Sequence, residues 1–93
     1  MTAPQPEAVD RNVVIYVTPW CGFCMRAVQL LESRGIAFAK FDVSGDHEAR
    51  AWLRERTGQS TVPQIFSSGR SIGGFDELRQ LDREGELVAT LAS

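Results

Sequence analysis

The run Val13-Val14-Ile15-Tyr16-Val17 is apolar throughout, β-branched at four of its five positions, and bounded by Asn12 and Pro19. A continuous run of this kind fits a strand buried on both faces, and so a central strand of a sheet. Directly after it, Cys24, Ala27, Val28 and Leu31 recur at i, i+3, i+4 and i+7, the spacing of an amphipathic helix, which Arg34 and Gly35 close. Cys24 therefore belongs to the inward stripe. Ala37 to Val43 alternates in part and reads as a second strand. Strand, helix and strand in that order form a right-handed βαβ unit with parallel strands, which sets the α/β class of the chain.

The remaining elements have to cover that unit. Ala49, Trp52 and Leu53 keep helical spacing between Asp46 and Thr57, with Gly58 as the stop, so a second helix packs on the sheet. Thr61-Val62-Pro63 imposes extended backbone before the proline, and Gln64 to Phe66 runs through Ser68-Gly69 into Arg70 to Ile72 as an antiparallel hairpin. Gly73-Gly74 turns the chain into a helix whose first turn holds Asp76 and Glu77, favourable against the macrodipole, with Leu78 and Leu81 inside. A last short helix carries Leu87, Val88 and Leu91.

With 93 residues there is room for one domain. Residues 1–11 have neither the apolar stretch of a secretion signal nor the Arg-rich character of a transit peptide, and read as a disordered polar tail before a domain over 12–93. No apolar run approaches the ~18 residues that span a bilayer, so no membrane association is expected, and the cytoplasm is the default location. A net charge of −2 offers no footprint for nucleic acid.

Two cysteines, Cys21 and Cys24, make a poor framework, because closing so short a loop removes little unfolded-state entropy. A Cys-x-x-Cys at a helix start instead puts its first sulfur beside unpaired backbone N–H groups, where the dipole field favours a thiolate. Cys21 is thus the expected nucleophile. Cys24, one turn inside on the apolar stripe, is hindered from ionising and suits a resolving thiol that displaces a mixed disulfide. Half a zinc site is the competing reading of the pair, but tetrahedral zinc needs four ligands and the single histidine, His47, lies elsewhere. His47 at the start of the second helix reads as a solvated surface residue.

Trp20-Cys21-Gly22-Phe23-Cys24, Thr61-Val62-Pro63-Gln64-Ile65-Phe66 and Gly73-Gly74-Phe75-Asp76-Glu77-Leu78, in this order and spacing, resemble the motifs of a glutaredoxin from about Val13 onward. The resemblance implies a thioredoxin-like fold: a mixed four-stranded sheet in the order 2-1-3-4, helices on both faces, and a cis peptide before Pro63. It further implies glutathione as co-substrate, with Phe23, Gln59, Thr61, Val62, Pro63, Gly74, Phe75 and Asp76 as its contacts. The peptide groups of glutathione would pair with the Val62 main chain as an added strand. Its γ-glutamyl carboxylate would meet the N–H groups of Phe75 and Asp76, and its ammonium group the Asp76 side chain. Partners would be glutathionylated or disulfide-bonded proteins, and the chain a monomer.

Two positions depart from the family pattern. Thr18 stands where many glutaredoxins have a lysine that helps hold the glycine carboxylate, which leaves that contact to Gln59 and predicts looser glutathione binding. Gly22 replaces the proline of the common dithiol motif, and Trp20-Cys21-Gly22 is thioredoxin-like. Family members with this glycine more often hold a [2Fe-2S] cluster between two subunits, so Cys21 and glutathione from each of two copies form the alternative, a dimeric iron-sulfur carrier; the monomer alone holds no metal. Trp20 is either a contact for protein substrates or flanking packing, and Trp52 reads as core.

Overall fold

The computed structural model describes residues 2–91. Met1, expected in the tail, and Ala92 and Ser93, expected in the domain, lie outside the described residues. Four strands, β1 (Val13–Val17), β2 (Ala39–Asp42), β3 (Gln64–Ser67) and β4 (Arg70–Gly73), form one sheet ordered β2-β1-β3-β4. β1 runs parallel to β2 and antiparallel to β3, and β4 is antiparallel to β3. Ser68 and Gly69 join the last two strands with φ of 51° and 80°, the paired left-handed conformation of a type I′ turn. This is the thioredoxin-like sheet that the motifs imply, and β1 lies at its centre.

The helices are α1 (Gly22–Ser33), α2 (His47–Thr57), α3 (Phe75–Arg83) and α4 (Leu87–Leu91). Strand side chains alternate in direction, so β1 feeds two cores at once. Val13, Ile15 and Val17 pack with Leu31 of α1, Ile65, Leu78 of α3, and Leu87 and Leu91 of α4. Val14 and Tyr16 face the other way, against Val43, Phe66, and Ala49 and Leu53 of α2. All five β1 residues are buried, which is why the sequence shows an unbroken apolar run there. Each fully buried leucine or isoleucine in these cores contributes about 1.5–3 kcal/mol relative to exposure. Asp46 caps α2 by accepting the Ala49 N–H at 3.0 Å, and Gly58 ends it in left-handed backbone.

Several boundaries and faces differ from the sequence reading. β2 covers only residues 39–42, leaving Ala37 and Phe38 in the approach to the strand. Val28 and Leu81 are half-buried at the margin of their core, and Val88 is 46% exposed, so the apolar docking of α4 runs through Leu87 and Leu91. Trp52 is half-buried, its ring edge-on to Tyr16 at 5.1 Å, and His47 is exposed.

The disordered tail expected over residues 1–11 is corrected for its described part. Pro6–Ala8 form a 3-10 turn, Pro6 is buried, and Ala3 and Val9 pack on the α2-side core. The reason is the buried Tyr16 hydroxyl, which has to find an acceptor away from water and donates to the Pro4 carbonyl at 2.7 Å. Burial also pushes the Tyr16 phenol pKa upward. Asp46 accepts the Ala3 N–H at 2.7 Å, and Arg56 forks onto the Glu7 carboxylate at 2.7 and 2.8 Å while donating to the Gly69 carbonyl. The segment is a strap over the sheet, held by long-range polar bonds that leave no periodic signal in its sequence.

Candidate active site

The end of β1 delivers the chain through Thr18-Pro19-Trp20 to Cys21, the N-cap of α1. The Cys24 N–H donates to Cys21 Sγ at 3.1 Å, so the first sulfur takes the place of the oxygen acceptor that usually caps a helix. Both cysteines are free thiols. Their surroundings differ sharply. Cys21 is partly exposed, whereas Cys24 is 2% exposed between β1 and the inner face of α1. Desolvation and then the neighbouring Cys21 sulfur push the Cys24 thiol up to about 12, with a hydrogen bond at the Thr18 backbone opposing them. Cys24 is therefore held in its neutral form at physiological pH.

Trp20 stands 99% exposed in left-handed backbone with φ of 64°, a conformation that bulky residues seldom adopt. Of the two readings open from sequence, packing is thereby removed. Trp20 rims a groove of about 470 Å³ between α1 and the β2 edge, shared with Met25, Val28 and Cys24.

On the β3 side lies a separate cleft of about 330 Å³, lined by Phe23, Gln59, Thr61, Val62, Pro63, Gly74, Phe75, Asp76 and Glu77. All eight non-cysteine site residues expected from the motifs meet here, although they come from three stretches of the chain. The Val62-Pro63 peptide is cis, and Cys21 Sγ lies 3.9 Å from the Val62 carbonyl oxygen. Gly73 has φ of 117°, and a Cβ there would sit 2.5 Å from Glu77 Oε1. A Cβ on Gly74 would come within 3.3 Å of the Pro63 carbonyl oxygen. The glycine pair thus lets the N-terminus of α3 close onto the Pro63 loop, which forms the cleft's far wall. Phe23 and Phe75 face each other at 6.1 Å across it, with Arg26 over the first ring and Arg79 over the second.

Glu77, which the motifs gave no role beyond dipole charge, turns its carboxylate back to accept the Gly74 N–H at 2.7 Å. It does half of a capping box's work, since glycine has no side chain to return the bond. Phe75 and Asp76 line the cleft from the first turn of α3, where backbone N–H groups have no intrahelical acceptor. Asp76 keeps an exposed carboxylate, with Arg79 Nη2 no nearer than 3.9 Å. Sequence reasoning also missed Arg50, which donates from α2 to the Ser60 carbonyl at 2.9 Å, and Gln64, whose buried amide reaches the Thr61 carbonyl and the Gln59 side chain. Neither signals itself locally, because both act across a loop. Among the described residues no three His, Cys, Asp or Glu side chains converge on a metal-sized site, and no helix is long and apolar enough to cross a membrane.

A central parallel βαβ unit, a cysteine capping the helix and a second buried cysteine one turn on define a thiol-disulfide oxidoreductase of the thioredoxin-like fold. The glutaredoxin family model matches residues 13–72. The glutaredoxin of Pseudomonas aeruginosa is 44% identical over 81 residues, 87% of this chain and 96% of that protein. Glutaredoxin 3 of Escherichia coli K12 is 42% identical over 76 residues, 82% and 92% of the two chains. The crystal structure of a buckwheat glutaredoxin-glutathione complex superposes with a TM-score of 0.83 at 32% identity, covering 88% of this chain and 77% of that one. The chain belongs to the glutaredoxin family.

Proposed function

We propose that this protein reduces protein-glutathione mixed disulfides, and some protein disulfides, with glutathione as co-substrate. The observation that carries this reading is the placement of Cys21 Sγ 3.9 Å from the Val62 carbonyl, at the edge of a cleft whose chemistry matches glutathione. The Val62 main chain, beside Cys21, suits the peptide groups of the tripeptide. The first turn of α3 suits its γ-glutamyl carboxylate, the Asp76 carboxylate its ammonium group, and the Gln59 amide its glycine carboxylate. The solved glutathione complex of the buckwheat relative supports the choice of ligand.

The chemistry follows from the two sulfurs. Cys21 thiolate attacks the glutathione sulfur of a mixed disulfide; a Cys21-glutathione disulfide forms, and the protein leaves as its thiolate. A second glutathione thiolate attacks the glutathione sulfur held on Cys21, releasing oxidised glutathione and restoring Cys21. With a protein disulfide, Cys21 forms a mixed disulfide to the substrate and Cys24 resolves it, giving up its proton as it closes the intramolecular bond. That bond returns to the dithiol at the expense of two further glutathiones. A reducing compartment such as the cytosol supplies them.

The test is turnover of a glutathionylated peptide with glutathione and glutathione reductase. Substantial rates are expected there, and little or none when thioredoxin reductase replaces both. The opposite preference would assign the protein to a different electron donor, a reading kept in view by Thr18 and the thioredoxin-like Trp20-Cys21-Gly22.

A second reading draws on the same sulfur. A Cβ at Gly22 would meet nothing within 4 Å, so the surface beside Cys21 is open to a second copy. Cys21 and glutathione from each of two copies would give a [2Fe-2S] cluster its four thiolates, and the bound cluster would make the protein a carrier. Anaerobic reconstitution with iron, sulfide and glutathione is its test: a coloured dimer supports it, a colourless monomer removes it.

A further inference from the structure

The loop between α2 and β3 forms one wall of the cleft, and its hold on the protein comes from several directions. The Gln59 N–H donates to Thr57 Oγ1 at 3.1 Å, and Arg50 holds the Ser60 carbonyl. The third attachment is made from beneath. Gln64 opens β3 paired with Tyr16 of β1, so its side chain points to the α2 face, and it is only 1% exposed. Its Nε2 donates to the Thr61 carbonyl at 3.0 Å and, more weakly, to Gln59 Oε1 at 3.4 Å.

These two bonds assign the orientation of both amides, with Gln64 Oε1 left buried and without a hydrogen-bond partner. A carbonyl accepts only from a donor, so the NH2 group of Gln64 has to face Thr61. The group that Gln59 turns toward Gln64 is then its oxygen. What remains of Gln59 at the cleft is its own NH2 group, a donor. Had Gln59 been free to rotate, it would present oxygen and nitrogen to the cleft alternately, and an anionic ligand would be repelled half the time.

We propose that Gln64 is a positioning residue for ligand binding, whose buried amide fixes the 59–61 loop and turns the Gln59 side chain into a dedicated donor for a ligand carboxylate. It touches no ligand and no reacting atom. The proposal rests on the reading of the cleft as a glutathione site and says which contact in that site is set from below.

The test compares wild type, Gln64→Met, Gln59→Ala and the double variant in steady-state deglutathionylation, varying glutathione. Gln64→Met keeps the volume of the side chain and removes both donors. It is expected to raise the glutathione KM roughly three- to tenfold, the worth of one net hydrogen bond, with kcat at saturating glutathione within about twofold. The double variant is expected to be no worse than about twice the poorer single variant, because the two residues act as one unit. Alkylation of Cys21 by iodoacetamide should proceed at the wild-type rate. A KM unchanged in Gln64→Met, or losses that multiply in the double variant, would overturn the proposal while leaving the glutathione reading intact. Wild type that does not turn over glutathione would overturn both. Should Gln64→Met fail to fold, Gln64→Asn, too short to reach Thr61, carries the same expectation and the same grounds for rejection.

Discussion

On the face of the sheet that carries α1 and α3, the helix starts at the site are set by short local caps, although Arg34 and Asp82 pair across 48 positions; on the face that carries α2, the N-terminal strap is held by contacts between residues far apart in the chain. Cys21 caps α1 with the help of Cys24, three residues on, and Glu77 caps α3 through Gly74, three residues back. Tyr16 is held by Pro4, Asp46 by Ala3, and Arg56 by Glu7, each pair separated by at least a dozen positions. The first face positions reactive sulfur, and the second anchors the sheet beneath it. Perturbing the reactive sulfurs of the first face should change chemistry at nearly constant stability, and perturbing the N-terminal strap on the second should do the reverse.

The largest expected effect breaks the first face. Cys21→Ser should lower deglutathionylation by a factor of about 10³ or more, since a hydroxyl at neutral pH has almost none of the nucleophilicity of a thiolate. Cys24→Ser should keep that reaction within a few fold and lose the reduction of protein disulfides. Both follow from coupled assays on a glutathionylated peptide and a disulfide substrate. Thermal unfolding of the two variants should stay close to wild type, and a large fall in the Tm of Cys21→Ser would blur the division between faces.

Next comes the core beneath the first face. Leu31→Ala removes a fully buried side chain from the α1 face and is expected to cost about 2–5 kcal/mol by denaturant titration, enough to threaten a domain of this size. Tyr16→Phe probes the strap instead. Loss of the bond to Pro4 should cost about 0.5–1.5 kcal/mol and leave the glutathione KM unchanged. A shift in KM would show that the strap reaches the cleft after all.

The smallest effect is a pH dependence. The Arg56 guanidinium holds the Glu7 carboxyl at about 2, below the ordinary 4.5. A depressed acid favours the folded state fully above pH 4.5, and that contribution drains away as the pH falls toward 2. Glu7→Gln should therefore lower stability modestly at neutral pH, flatten the acid limb of the profile within this window, and leave the two proteins alike at its acid end. The pair lies at the surface, so added salt should shrink the difference.

The same contrast explains what could be read from the chain. β1 announced itself because both its faces are buried, and the Cys-x-x-Cys because helix capping and burial act within one turn. The glycines at 73 and 74 were legible as a turn into a helix, and the motif order carried the topology and the cleft's membership. The strap was illegible, since Thr2-Ala3-Pro4-Gln5-Pro6 has no periodicity and is ordered by partners 12 to 51 residues away. Gln64 was visible only as part of a motif string, because its work depends on which amide edge faces which loop carbonyl. Trp20 stayed ambiguous until backbone geometry placed it in solvent.

The central claim is that Cys21, beside the Val62 cleft, takes the glutathionyl group. The most direct measurement is the intact mass and peptide map of the Cys24→Ser protein after incubation with oxidised glutathione. The account predicts one glutathionyl group, on Cys21, removed by added reduced glutathione. No adduct, or an adduct that reduced glutathione does not release, would contradict it.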